Sequence, residues 1–285
     1  MRYYTPLRYP GGKASLGHYL RQIFVDNRIL DGIYVEPYAG GAGIAMELLM
    51  TGYSHEVWLN DLDPGIYAFW KAALNDTDAL IALIETTPLT VAQWRKQRAI
   101  YFSPDKTDTL SLGFATLFLN RTNRSGILDG GVIGGLLQKG KWLIDARFNR
   151  KELAKRIRRI GQYRHRVQLS NLDAEIFLKR LKLPARSLVY LDPPYFRNGQ
   201  RMYRNHYKRQ DHARIAEFVK KKLQYRWIVS YDDEPDIGKL YAGHRQIHYA
   251  LQYSAQVKRQ GGELMILCDS LHVPATKNPA QFRVN

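Results

Sequence analysis

The strongest periodic signal in the chain is a set of short apolar runs that stop abruptly at polar or glycine-rich turns. "GIYVEPYAGGAG" (32–43), "EVWLNDLD" (56–63), "RSLVYLDPPY" (186–195) and "YRWIVSYDDEPD" (225–236) each read as a buried strand of parallel type. Continuous apolar strands need both faces covered, which requires helices between them. "DHARIAEFVKKKL" (211–223) has helical spacing, with Asp211 expected at its N-cap. Near the C-terminus, "HRQIHYALQY" and "GGELMILCDS" read as an antiparallel pair closing the sheet edge. The expected fold class is α/β, a doubly wound sheet that binds ligands beyond the C-terminal ends of its strands.

Between residues 64 and 166 the pattern changes. "GIYAFWKAALNDTDALIALIETT", "TVAQWRKQRAIYF" and "NRKELAKRIRRIGQYRHR" are helix-like, and no strand pattern interrupts them. The expected organisation is one α/β domain, 1–63 and 167–285, carrying a mostly helical insertion over 64–166. In the basic run 147–166, Leu153, Ile157 and Ile160 mark one apolar face, so it reads as a helix rather than a disordered tail.

Charge narrows the partners. The 285 residues hold 43 Lys+Arg against 26 Asp+Glu, a formal net charge of +17. Such an excess favours a polyanion, and nucleic acid comes first. An anionic membrane is the rival, but no long uninterrupted apolar span supports it. The start "MRYYTPLRYPGGK" lacks the apolar core of a signal peptide, so a cytoplasmic protein is expected. Cys268 is the single cysteine, which excludes an internal disulfide and a multi-cysteine zinc site. No metal is expected, and Cys268 itself reads as a buried strand residue.

Two strand ends carry candidate chemistry. After the first strand, Gly40, Gly41 and Gly43 lead into a helix, the architecture of a nucleotide-binding turn. Met46 stands where a third fingerprint glycine would fall, so the motif is not GxGxxG. Asp61, at the end of the next strand, stands where an acid usually takes ribose hydroxyls. The plainer alternative is a structural turn and an unrelated helix cap. At the other end, "LDPPY" is either strand punctuation or a grip for a flat, amine-bearing ring. In the second reading Asp192 and the Pro193 carbonyl accept the two amine hydrogens, Tyr195 stacks on the ring, and the nitrogen lone pair points outward at an electrophilic methyl.

"LRYPGGK", "VEPYAGGAG", "LNDLD", "FLNRTNRSG" and "LDPPY" together, in this order and spacing, resemble the Dam-like, D12 class N6-adenine DNA methyltransferases. The resemblance runs from about residue 5 to residue 268. It implies the Rossmann-like methyltransferase sheet dependent on S-adenosyl-L-methionine (AdoMet), an inserted helical target-recognition domain, duplex DNA as partner, and extrusion of the target base. By the same resemblance Tyr9, Gly11, Gly12 and Lys13 lie at the cofactor; the alternative for Lys13 is an ordinary surface lysine. Glu36, Pro37, Tyr38, Gly40, Gly41 and Gly43 match the cofactor loop and Asp61 the ribose acid. Asp173, in "SNLDAEIF", matches the acid near the cofactor adenine or, alternatively, caps a helix. Asp192, Pro193, Pro194 and Tyr195 become the catalytic edge.

The loop 120–142 suits DNA, with Asn120, Arg121, Asn123, Arg124, Ser125, Lys139 and Lys141 able to meet phosphates and base edges. Its alternative is a long connector. Arg197 and Arg201, straight after the catalytic edge, are further DNA candidates. This loop departs from that of the GATC-specific enzymes, so no target sequence carries over. Three rivals stay open: an N4-cytosine methyltransferase, a DNA-binding regulator on a decayed scaffold, and a nicotinamide-dependent oxidoreductase. A monomer is expected, since nothing resembles a dimer seam, and a cognate restriction enzyme is an open partner.

Overall fold

Seven strands form one sheet in the order β3-β2-β1-β4-β5-β7-β6. They are β1 (Gly32–Glu36), β2 (Ser54–Asn60), β3 (Val167–Ser170), β4 (Ser187–Leu191), β5 (Arg226–Asp232), β6 (Arg245–Tyr253) and β7 (Arg259–Leu267). The computed structural model describes residues 4–8, 13–196, 207–253 and 259–283. The first five strands pair in parallel, and β7 runs antiparallel between β5 and β6. This is the doubly wound methyltransferase sheet that the motif order implies. The four parallel strands and the terminal antiparallel pair read from sequence are present. Strand β3 was not legible, because four residues between a basic helix and a turn are too few to carry a period.

Helices cover both faces. They are α1 (Gly17–Asp26), α2 (Gly43–Met50), α3 (Pro64–Asn75), α4 (Thr77–Thr86), α5 (Val91–Tyr101), α6 (Thr109–Thr122), α7 (Arg150–Gln162), α8 (Ala174–Lys179), α9 (Arg209–Lys221) and α10 (Pro235–Leu240). Local chemistry starts them. Asp63 Oδ1 accepts from the Gly65 and Ile66 amides ahead of Pro64 at the first helical position, a cap that contributes about 1 kcal/mol. Asp211 sits one turn inside α9 rather than at its cap, and its carboxylate reaches back to the Lys208 amide at 2.9 Å. That satisfies the same orphan donors by the other half of a capping box.

The five helices between β2 and β3 share the sheet's core. Helix α6 is buried nearly all round, and at Gly113 it approaches α3 so closely that an added Cβ would sit 2.6 Å from the Ala68 carbonyl oxygen. Trp70 of α3 donates to the Gly40 carbonyl at 2.9 Å, and Tyr101 of α5 donates to Asp63 at 3.0 Å. Helix α7 buries Leu153, Ala154, Ile157 and Ile160, as its spacing predicts. Much of its basic run is nonetheless structural. Arg150 donates to the Ile84, Glu85 and Thr87 carbonyls, Arg156 to Thr5, and Arg166 to Ser54 and His55. Cys268 lies buried just past β7 and takes the Trp227 amide on its sulfur. Among the described residues no helix is long and apolar enough to cross a membrane.

Candidate active site

In this sheet β1 and β4 are neighbours while their chain continuations diverge, so the switch point falls between them. A doubly wound sheet opens its ligand crevice there, beyond the C-terminal ends of the strands. The glycine turn after β1 and the Asp192 turn after β4 therefore meet at one crevice, although more than 140 residues part them in sequence.

On the β1–β2 side the framework is held by backbone amides. Asp61 Oδ2 accepts from the Gly40 amide at 2.8 Å and Oδ1 from the Asp63 amide at 2.9 Å. Each oxygen keeps a lone pair for a further donor. Burial pushes the Asp61 pKa up to about 7, and Asp63 adds to that while the two amides oppose it. Gly40 has φ +44° and Ala42 φ +42°, so the turn before α2 runs through left-handed backbone. Gly40 and Gly41 are buried, and Gly43 opens α2. Pro37 is buried and its carbonyl takes the Asn60 amide group, while the Tyr38 hydroxyl meets that of Tyr207 at 2.8 Å. Glu36 is turned inward; burial pushes its pKa up to about 8 against the Tyr34 hydroxyl and the Ala45 amide. Asp173 is the N-cap of α8, accepting from the Glu175 and Ile176 amides at 3.0 and 3.3 Å.

On the β4 side the framework is ionic. Lys13 is not a surface lysine. It opens a short 3-10 turn (Lys13–Leu16), and its ammonium is buried, 3.2 Å from Asp192 Oδ1, 3.2 Å from Glu263 Oε2 and 3.1 Å from the Tyr195 hydroxyl. That hydroxyl donates to Glu263 Oε1 at 2.8 Å, and the ammonium lies 4.9 Å from the Tyr195 ring centroid. Burial alone would lower the Lys13 pKa; Asp192, Tyr195 and Glu263 together hold it well above the usual lysine range. Burial raises the Asp192 pKa to about 6, with Lys13 opposing and Glu263 and Asp232 assisting. The Asp192 side chain keeps 29% exposure, and Oδ1 is its inward oxygen. Pro193 is buried and Pro194 half-buried. Tyr195 is also buried, so its ring is more an anchor than an open stacking platform. The next amide, Phe196, donates to Asp232 at 2.8 Å. Beside Phe196 a cleft of about 500 Å³ is lined by Tyr207, Arg209, His212, Glu234 and Asp236.

The candidate DNA residues divide. Asn120 is fully buried: it accepts from the Arg8 amide and donates to the Arg8 and Gly126 carbonyls. Asn123 is equally buried, accepting from Trp94 and donating to the Ile127 and Leu128 carbonyls. Both amides close the loop rather than face a base, a correction to the sequence reading. The loop presses on the N-terminal segment, since at Gly126 (φ +77°) a Cβ would stand 2.5 Å from the Arg8 oxygen. Arg124, Ser125, Lys139 and Lys141 are exposed, as are Leu136, Leu137 and Trp142. Arg121 is half-buried, its pKa pushed down to about 10 by burial and by Arg8, Arg156 and Arg147. Arg8 Nη1 and Arg121 Nε are buried with no hydrogen-bond partner among the described residues. Tyr9, Gly11, Gly12, Arg197 and Arg201 lie outside the described residues.

Sequence reasoning missed Glu263, Asp232, Arg8, Arg147 and Arg156. The signal for Glu263 was a lone acid within the apolar run "GGELMIL". The arginines carried none, because only the tertiary fold gathers them.

Residues 9–255 match the family model for D12 class N6 adenine-specific DNA methyltransferases. The chain is 23% identical over 231 residues to the type II methyltransferase M.MjaIII of Methanocaldococcus jannaschii, covering 74% of this chain and 77% of that protein. Among solved structures, a Listeria monocytogenes protein described as a class I S-adenosylmethionine-dependent methyltransferase aligns at TM-score 0.36 and 11% identity, over 93% of this chain and 63% of that one. The Legionella pneumophila protein LPL1258 aligns at TM-score 0.36 and 11% identity, over 92% of this chain and 86% of that one. A family match over most of its length places this chain in the D12 class of N6 adenine-specific DNA methyltransferases.

Proposed function

We propose that the protein methylates the exocyclic N6 of adenine within a specific duplex DNA sequence, after the base has left the helix. The observation that carries this reading is the Asp192 edge, an ion-locked carboxylate that keeps part of its surface at the sheet's switch point. The residues present suit AdoMet. Asp61 has a spare lone pair on each oxygen for ribose hydroxyls, and it stands against a buried glycine turn whose backbone a nucleoside could approach closely. Pro37, Tyr38, Gly40, Gly41 and Gly43 would form the floor of that site. Asp173 would approach the adenine end while capping α8. Glu36 would serve from behind, since its carboxyl faces inward.

When bound, AdoMet supplies an electrophilic methyl group on a sulfonium sulfur. Asp192 and the Pro193 carbonyl would each accept an amine hydrogen, aiming the nitrogen lone pair at that methyl. As nitrogen gains the methyl carbon the C–S bond would break with its electron pair left on sulfur, so nitrogen becomes positive and must release a proton. Asp192, held near a pKa of about 6 by burial, is ionised at neutral pH and can take that proton before passing it to water. Tyr195 would fix the edge rather than supply its outer face. A planar base cannot reach this edge from within a duplex, hence the extrusion step.

DNA would be held by charge on the helical segment 64–166, which we assign as the recognition part. Arg8, Arg121, Arg147 and Arg156 lie close together, and Arg8 Nη1 and Arg121 Nε, buried with no hydrogen-bond partner among the described residues, suit a phosphodiester. Arg124, Ser125, Lys139 and Lys141 stand on the exposed loop that would meet base edges and backbone.

The test is nucleoside analysis by mass spectrometry after incubation with AdoMet and unmethylated duplex DNA. N6-methyladenine is the expected product. N4-methylcytosine would keep the site and change the base. No product despite measured AdoMet binding, on DNA spanning many sequences, would overturn the reading.

A further inference from the structure

We propose that Glu263 is a positioning residue for methyl transfer: its buried carboxylate holds the Lys13 ammonium and the Tyr195 hydroxyl in one closed arrangement and thereby sets how Asp192 meets the target amine. The inference rests on the reading of Asp192 as the amine acceptor. Glu263 lies inside β7 with no exposure at all. A buried carboxylate is costly unless paired and hydrogen-bonded, and this one is both. Oε2 faces Lys13 at 3.2 Å, Oε1 accepts from Tyr195 at 2.8 Å, and Lys13 donates to the same Tyr195 oxygen at 3.1 Å. The three groups close a ring, and Lys13 also reaches Asp192 Oδ1 at 3.2 Å.

The register explains why this acid reaches the edge. Glu263 pairs with Asp232 of β5 and with Tyr249 of β6, so the three side chains share a sheet face. Asp232 holds the Phe196 amide while Glu263 holds the Tyr195 hydroxyl. Two adjacent acids on neighbouring strands thus grip two consecutive residues of the catalytic turn. The antiparallel hairpin β6–β7 closes the sheet and also supplies this grip.

The electrostatic consequence is specific. The groups that act on Asp192 or feel it are Lys13 from the 3-10 turn, Tyr34 and Glu36 from β1, Tyr190 from β4, Tyr231 and Asp232 from β5, Tyr249 from β6 and Glu263 from β7. Lys13 is the one cation among them. Alone it would keep Asp192 firmly ionised and engage it fully. Glu263 shares that ammonium, so Asp192 keeps enough proton affinity to serve an amine that becomes cationic as it reacts.

The experiment compares Glu263→Gln with the wild-type full chain, using AdoMet and methylatable duplex DNA. Glutamine keeps the shape and removes the charge. Expected are a fall in kcat of about ten- to a hundredfold from a displaced edge, AdoMet and DNA affinities within about twofold, and an acid limb of the kcat–pH profile moved to lower pH. The direction follows because the variant removes a negative neighbour that raises the Asp192 pKa. In a Lys13→Met background, adding Glu263→Gln should raise the melting temperature, because the stranded buried charge is gone. If Glu263→Gln does not fold, the melting temperature of the double variant against Lys13→Met alone carries the test, and no rise overturns the inference. A kcat within twofold of wild type, or a kcat loss with an unmoved acid limb, overturns the inference. Asp192→Asn is measured alongside. Its loss of turnover with Glu263→Gln silent sinks this inference alone, while retained turnover sinks the reading beneath it.

Discussion

Asp61 and Asp192 are two buried carboxylates at the ends of two strands in one sheet, and the protein holds them by opposite means. Asp61 is held by neutral backbone amides from Gly40 and Asp63. Asp192 is held by a full positive charge that it shares with a second acid. Amide dipoles fix a carboxylate in place without committing it to one ionic partner, which suits the ribose-binding role proposed for Asp61. A shared ammonium sets both position and proton affinity, which suits the amine-accepting role proposed for Asp192. Both pKa values rise through burial, to about 7 and about 6, so the ordering reflects how much of the desolvation each counterpart offsets.

The largest expected effect tests the ionic side. Asp192→Ala should lower kcat by roughly 10²–10³-fold or more while DNA binding survives, since it removes an acceptor matched to charge developing in the transition state. Filter binding beside turnover separates the two, and retained turnover would make the edge structural. Asp61→Ala should weaken AdoMet binding by about ten- to a hundredfold, two charged hydrogen bonds being lost, with less effect on DNA. Calorimetric titration reads that, and unchanged affinity would remove Asp61 from the cofactor site. Tyr195→Phe takes away only the hydroxyl shared by Lys13 and Glu263, so kcat should fall about fivefold, roughly 1 kcal/mol of barrier, with the ring kept. A loss as large as for Tyr195→Ala would assign the whole role of the residue to its hydroxyl and none to its ring.

Smaller effects follow from charge. Arg121→Gln should reduce the slope of log K against log salt by about 1, uniformly across DNA sequences. An unchanged slope would take the arginine cluster away from the backbone. The pH dependence of stability is the finest test. Asp61 and Asp192 have folded pKa values raised above the unfolded carboxylate range, so their contribution is fully present below about pH 4. It is lost as pH rises through about 6 and about 7. His212 opposes it at the acid end, since burial lowers its pKa to about 4. Asp61→Asn should therefore flatten the decline in melting temperature between about pH 4 and 7; an unaltered slope would mean that Asp61 is already solvated.

How much of this was legible depended on sequence distance. Asp192 and the glycine turn announce themselves because each strand ends within a few residues of its own chemistry. Asp63 is as readable, since a cap acts on the next turn. Glu263 was hidden because its partners, Lys13 and Tyr195, lie 250 and 68 residues away in sequence, and a single acid in an apolar strand looks like a residue facing solvent. Asn120 and Asn123 misled for a physical reason. The amide that can read a base edge can equally close a loop on its own carbonyls, and only burial tells which. Lys13 was recognised as functional, but its burial inside an ion triad depends on the fold.

The hydrogen bond from the Trp70 indole to the Gly40 carbonyl bears on how such an enzyme could be retargeted by grafting. A donor helical block joined at residue 64 would replace Trp70 and Tyr101 together, and with them the supports of the turn proposed to lie under the cofactor. A transplant would keep its catalytic scaffold intact only if the junction fell after α3 and if the incoming α5 brought a hydroxyl to Asp63. The recognition role proposed for this block is therefore not a detachable cassette, and chimeras cut at residue 64 should bind AdoMet poorly before they ever meet DNA.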